Sequence, residues 1–465
     1  MKFNLCFLSL AASCFVLFGC SKSESTLSPA VESSSSIVVV PTSSGGTAAV
    51  LPSGANSAYA TLMYSTWKAN AVISMQSEMA SYPTLASSFT DVFSTYISAS
   101  LYPARIRWDM NASAACKIND PAASSDLRRG CTVSEGIGYG MLISLFQGDW
   151  DTFNRLWYYN RGYRSAWGSE LMPWQTNTFI LTLPSDYSSA TDADLDIATS
   201  LILAYYKTQN ADYLTDALKI VSALWTEEVN PANLYLYSGN SPTWTTDLPI
   251  VYNPSYFSPV ALRLFAEVDK THDWVSVLAK NYAYMQTIVS KSNGLIPDWT
   301  DESGSAVNPP NSKDTYHYWQ FFQESVRVPW RLAWDYYWTQ DPRAKTILDG
   351  MAAFIAAKSG NTPSAIPAVY YSTIAGSSCV SASGKTSTYP CDYDLGASVA
   401  PIHFLGAWCL TGMAGYNNYA WMNACTDTFN ARTMASAYDY FPQILQMMYS
   451  ELLNGLFVKP AGLSF

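Results

Sequence analysis

Apolar side chains along most of the chain return every three or four positions: Ile197, Leu201, Ala204 and Tyr205 form one such series, and Leu445, Met448, Leu452 and Leu453 another. On an α-helix that spacing gathers them on one face, which then needs a partner to bury it. Alternation of the strand type is scarce. Bounded by Pro, Gly or polar caps, the spacing predicts helices near 58–81, 135–147, 150–162, 192–208, 211–228, 256–269, 271–291, 319–339, 342–358, 396–413, 417–427 and 434–454. The fold class is therefore all-α, with few short strands in loops. Helices joined in pairs by short turns close into a double ring, inner helices packing on each other beneath an outer set. Loops gather at one end of such a ring, and function is expected there.

Ahead of residue 58 the pattern changes. Lys2 and the apolar stretch from Leu5 to Phe18 read as an export signal, too short for a permanent membrane helix. Leu17-Phe18-Gly19-Cys20 resembles a bacterial lipobox, which makes Cys20 the expected lipidation site and the outer membrane or cell surface the expected location, whereas a plain signal peptide cut nearby would leave the protein secreted. Residues 21–57 are rich in Ser, Thr, Ala, Pro and Gly and read as a disordered tether. The expected organisation is a signal peptide at 1–20, a linker at 21–57 and one globular domain at 58–465.

Composition narrows the function. With 49% hydrophobic and 13% charged residues the chain can bury a large core. A formal charge of −10 disfavours nucleic acid and anionic membrane surfaces as partners, so a membrane is approached only through the lipid. His272, His317 and His403 are too far apart for metal-ligand spacing, and no cofactor motif appears. The 16 Trp and 32 Tyr supply flat faces that either fill a core or stack on sugar rings. Six cysteines of the body, in sequence order, suggest disulfides Cys116–Cys131, Cys379–Cys391 and Cys409–Cys425, among fifteen possible pairings. A tethered enzyme is expected to act as a monomer.

Three segments hold acidic residues in unusual surroundings. In Ser134-Glu135-Gly136-Ile137-Gly138-Tyr139-Gly140-Met141 one Glu sits among three Gly and opens an apolar helix. Poor solvation there would keep its carboxyl protonated, as an acid catalyst requires. The plainer reading is a first-turn Glu after a Ser N-cap. In Ala190-Thr191-Asp192-Ala193-Asp194-Leu195-Asp196-Ile197-Ala198 three carboxylates open another helix, with 192 and 196 on one face. A calcium loop would need a downstream Gly and Glu that are missing. In Gln323-Glu324-Ser325-Val326-Arg327-Val328-Pro329 a Glu precedes an Arg by three residues, which in the plainer reading is a surface ion pair.

Taken in order, these segments resemble glycoside hydrolase family 8. The family signature of Ala, Ser or Thr, Asp, Gly or Ala, Asp, two residues, then Ile-Ala fits Ala190 to Ala198 without a gap. The SEGxGYGM segment fits too, as do Leu171-Met172-Pro173-Trp174, Asn253-Pro254-Ser255-Tyr256-Phe257 and Pro297-Asp298-Trp299. The resemblance implies an (α/α)6 barrel and an inverting, endo-acting hydrolysis of β-1,4 links in a polysaccharide such as cellulose or β-glucan, xylan or chitosan. It puts Glu135 on the general acid and Asp192 on the carboxylate that touches the sugar at the cleavage point, with Arg327, Trp174 and Tyr256 in the cleft. Asp194 of the signature, Trp108 and Trp299 are further candidates for sugar contact. One departure matters: where many members carry Tyr-Asp-Ala-x-Arg with the Asp as general base, this chain has Gln323-Glu324-Ser325-Val326-Arg327. Glu324 keeps the carboxylate on a longer arm and is the expected base, within the roughly 6.5–9.5 Å that an inverting pair spans. Asp301, Glu302 and Asp314 are the alternative source of a base. A surface lipoprotein that binds glycan without cutting it is the competing function. A polysaccharide lyase would need a Tyr or His base and an acidic substrate, which the negative charge disfavours.

Overall fold

Two kinds of helix alternate along the chain. In the computed structural model residues 51–81, 93, 102–108, 130–178, 187–309, 319–374, 378–380, 386–388, 392–394 and 399–465 are described. Cys20, Cys116, Asp314 and His317 lie outside them, as do the signal segment and the Cys391 end of the Cys379–Cys391 pair. The first kind of helix is buried nearly all round: α2 (Ser134–Gln147), α4 (Thr191–Thr208), α6 (Pro259–Val268), α8 (Val328–Thr339), α10 (Ile402–Leu410) and α12 (Tyr440–Leu453). The second kind buries one stripe: α1 (Ser57–Ala71), α3 (Trp150–Trp167), α5 (Ala211–Glu227), α7 (Trp274–Lys291), α9 (Pro342–Lys358) and α11 (Ala420–Asn430). In α5 the stripe is Tyr213, Asp216, Ala217, Ile220, Val221 and Leu224, the spacing of a helix with one face on a core.

The buried helices contact one another in the order α2, α4, α6, α8, α10, α12 and back to α2, which closes the inner ring. The striped helices cover it, and the result is the (α/α)6 barrel. Cys409–Cys425 ties α10 to α11 with Cα atoms 5.1 Å apart. Cys131 is also disulfide-bonded. Leu51 is buried and the Asn56 N–H donates to Asn454 Oδ1 at 2.7 Å, so the last residues of the expected tether pack on the barrel.

Several expected helices are shorter than their periodicity, among them the run at 434–454, which begins only at Tyr440. The run at 58–81 is interrupted where Val72–Ser74 pairs antiparallel with Ala104–Ile106. The run at 319–339 starts only at Val328, because Pro329 fits a first turn and cannot donate within a longer helix. Ahead of it Gln320–Phe321 forms a short strand on Tyr371–Ser372. The run at 396–413 likewise begins as α10 behind Pro401.

Candidate active site

Side-chain capping is confined to the outer ring, where α11 alone among the six outer helices lacks it. Outer helices α1, α3, α5, α7 and α9 start at Asn56, Asp149, Asn210, Asp273 and Asp341, whose side chains accept backbone N–H groups of the first turn. None of the inner helices has a side-chain cap. Val133 and Ala190 precede α2 and α4, and Ser134, the cap suggested by sequence, lies inside the helix with its hydroxyl unbonded. The free N–H groups bring the positive ends of the helix dipoles to bear on carboxylates in the first turns, Glu135 and Asp192.

Two glycines set how closely these turns approach. A Cβ on Gly138 would come within 3.1 Å of the Ala193 carbonyl oxygen, so only Gly lets α2 lie this near α4. A Cβ on Gly136 would come within 3.2 Å of the Tyr440 hydroxyl, and Tyr440 donates a hydrogen bond to Glu135 Oε1 at 2.7 Å. The SEGIGYG pattern is therefore a device for close approach around its one acid.

Arg327 is the centre of the cluster. Its Nη1 donates to Glu135 Oε2 and, at 2.8 Å, to Asp192 Oδ2, while Nη2 donates to Glu324 Oε2. Asn253 Nδ2 also donates to Glu324 Oε2 at 2.7 Å, and the Tyr256 ring lies 5.3 Å from the guanidinium. Glu135 and Glu324 are thus bridged by one guanidinium, each through one hydrogen bond. Burial raises the Glu135 carboxyl above its usual range, against Arg327 and the Tyr440 hydrogen bond, which lower it. Burial likewise pushes Asp192 up to about 7, against the pull of Arg327. Three carboxyls around one cation carry more negative charge than it neutralises, so Glu135 and Asp192 together retain a proton to higher pH than isolated acids. Arg327 stands where a cation would, and no group of three metal-ligating side chains occurs among the described residues.

The tryptophan candidates fall into two groups of packed rings. The Ser134 N–H donates to the Trp174 carbonyl, and Trp174 stacks on Tyr187 with centroids 6.1 Å apart and meets Trp108 edge-on at 6.3 Å. Trp299 stacks on Trp244 at 5.4 Å. Asp194 is fully buried, and its Oδ1 accepts the Met172 N–H at 2.9 Å. Burial, then the charge of Glu228, pushes its carboxyl well above the usual range, and burial pushes Glu228 up to about 8. These two acids brace the wall behind Asp192. Of the alternative bases, Asp301 Oδ1 accepts the Ser305 N–H at 2.9 Å in a turn, and Glu302 is exposed and accepts from Asn233 at 3.0 Å. Neither touches Arg327. Neither Tyr440, 305 residues beyond Glu135, nor Glu228 carries a local signal along the chain.

Comparison with known proteins agrees with this architecture. The model of glycosyl hydrolases family 8 matches residues 112–453. Endoglucanase C of Ruminiclostridium cellulolyticum is 30% identical over 259 residues, 54% of this chain and 54% of that protein. The beta-glucanase of Niallia circulans is 33% identical over 255 residues, 50% of this chain and 60% of that protein. The chain therefore spans little more than half the length of these relatives. Among solved structures, the apo beta-1,3-1,4-glucanase from Paenibacillus sp. X4 superposes with a TM-score of 0.65 at 22% identity, covering 88% of this chain and 96% of that one. Rex8A from Paenibacillus barcinonensis, complexed with xylose, superposes at 0.57 with 18% identity, covering 81% and 93%. At such identities the likeness is one of fold. Because the family match runs across the inner ring from α2 to the last turn of α12 and takes in all three carboxylates on Arg327, the chain belongs to glycosyl hydrolase family 8.

Proposed function

We propose that the protein is an endo-acting glycosidase that cleaves β-1,4 links by inversion, with a β-glucan of the cellulose type as its substrate. The observation that carries the reading is the gathering of Glu135, Asp192 and Glu324 on one buried guanidinium. Glu135, held protonated by burial, gives its proton to the glycosidic oxygen as the C1–O bond breaks. Glu324 takes a proton from the water that attacks C1 from the opposite face, and Asn253 and Arg327 keep its carboxylate aimed at that water. Asp192 lies against the sugar at the cleavage point and supports the positive charge that develops on the ring. Trp108, Trp174, Tyr256 and Trp299 supply stacking faces on either side. The names of the relatives above, endoglucanase and beta-glucanase, favour glucan over xylan or chitosan. In the same reading the enzyme works outside the cell, held by lipid on Cys20 through the Ser-rich stretch that follows.

The test is reducing-end release from soluble β-glucan, xylan and chitosan by the wild-type chain and by Glu135→Gln. Glucan is expected to be cut best, and the variant to lose roughly 10³-fold in kcat while still binding glycan. Near-wild-type turnover in the variant would remove Glu135 from its role, and no release from any polymer would leave only glycan binding.

A further inference from the structure

Glu324 stands on a short irregular segment between the strand Gln320–Phe321 and the 3-10 turn Ser325–Arg327. Such a segment has no ladder to hold it. Its rigidity comes from a buried side chain of another part of the chain. Asp298 is 5% exposed, and its Oδ1 accepts three hydrogen bonds: from the Phe322 N–H at 3.0 Å, the Ser325 N–H at 2.9 Å and the Ser325 hydroxyl at 2.7 Å. These donors bracket Glu324. The Asp298 N–H in turn donates to the Gln320 carbonyl at 3.0 Å, so one residue grips the segment at both ends.

Besides Arg327, the Glu324 carboxylate is held by Asn253, which leads back to the same part of the chain as Asp298. Asn253 directly follows Val251–Tyr252, which pairs with Thr300–Asp301, two residues beyond Asp298. Asp298 and Asn253 are therefore two jaws fixed to one small sheet, one on the backbone of the Glu324 segment and one on its carboxylate.

We propose that Asp298 is the positioning residue for Glu324, fixing the segment so that the carboxylate meets the attacking water at the right place. The inference rests on the reading of Glu324 as general base. It does not require Asp298 to be charged: burial, then the charge of Glu324, pushes its carboxyl up to about 7, and either form accepts at Oδ1. What counts is the acceptor. An Asn in its place offers the same oxygen, and an Ala offers none.

The experiment compares Asp298→Asn, Asp298→Ala and Glu324→Ala on soluble β-glucan with and without azide. Azide attacks C1 without losing a proton, so it replaces the water and makes the base unnecessary. The C1–O bond still breaks with the proton of Glu135 going to the leaving oxygen, and the product is the α-glycosyl azide. Asp298→Asn is expected to keep kcat within about threefold. Asp298→Ala is expected to lose about 10²-fold in kcat at nearly unchanged KM, since a displacement near 1 Å costs that much, and azide is expected to restore most of the loss, as in Glu324→Ala. A fold merely weakened by Asp298→Ala would give no azide effect. If Glu324→Ala responds to azide and Asp298→Ala does not, or if Asp298→Ala turns over normally, the positioning role is overturned and the base assignment survives. If Glu324→Ala itself fails to respond, both fall together.

Discussion

One helical turn separates two carboxylate–arginine pairs that look alike in sequence and differ in what surrounds them. Asp192 and Asp196 lie four residues apart on α4, and Arg327 and Arg331 lie four apart across the start of α8. At the lower level Arg331 gives both Nη atoms to the single carboxylate of Asp196, with Nη2 to Oδ2 at 2.7 Å, and both side chains are 1% exposed. It also meets the Ser258 hydroxyl at 3.2 Å, the Trp330 ring at 4.2 Å and the Tyr139 ring at 6.0 Å. At the upper level Arg327 divides itself among Glu135, Asp192 and Glu324. One cation to one anion is a closed account that holds two helices together. One cation to three leaves negative charge that only a proton or a cationic transition state can satisfy, and there the chemistry is expected.

The largest effect should come from emptying the upper level. Arg327→Met is expected to lower kcat on glucan roughly 10³-fold, because the one guanidinium shared by Glu135, Asp192 and Glu324 vanishes. Arg331→Met, assayed in the folded fraction, should leave kcat within a few-fold. The reverse ranking would mean that the lower pair, not the upper, governs turnover.

Next in size is stability at the lower level. Asp196→Asn leaves a buried guanidinium without its anion and is expected to cost roughly 3 kcal/mol in urea unfolding. Combining it with Arg331→Met should return most of that loss, since a buried pair replaced whole by apolar groups is often neutral. The corresponding change at the upper level, Asp192→Asn with Arg327→Met, should restore folding and no activity. If the double change at 196 and 331 is as unstable as Asp196→Asn, the pair is doing more than balancing its own charge.

How far this contrast could be read in the sequence depends on distance along the chain. The helix periods located both rings because each inner or outer helix carries its own burial pattern, as in α5. The acid in SEGIGYG and the Asp run of α4 were visible because a glycine rhythm and a charge run are local. Helical spacing set Asp194 apart from Asp192 and Asp196, but the partner each acid meets, Met172 for Asp194, Arg331 for Asp196 and Arg327 for Asp192, lies too far along the chain for that spacing to report. Tyr440 and Asp298 reach the site through folding alone, across 305 residues to Glu135 and 27 to Ser325. The break at Val72–Ser74 was hidden for a similar reason: its cause is pairing with Ala104–Ile106, which no helical period reports.

The smallest effect distinguishes the two carboxyls that retain a proton. Tyr440 donates to Glu135 at 2.7 Å, which favours the ionised form and lowers that carboxyl, although burial raises it by more. Tyr440→Phe removes the donor and keeps the ring beside Gly136. With a hydrogen bond worth about 1 kcal/mol net, Glu135 should rise by roughly half to one unit. A general acid works only while protonated, so the alkaline limb of kcat/KM, which falls as pH passes through its pKa, should move to higher pH by that amount. Asp192, raised to about 7 and bonded to Arg327, makes no hydrogen bond to Tyr440. A limb that stays in place in Tyr440→Phe would therefore belong to Asp192, and the proton that matters would sit on the sugar-contact side of Arg327.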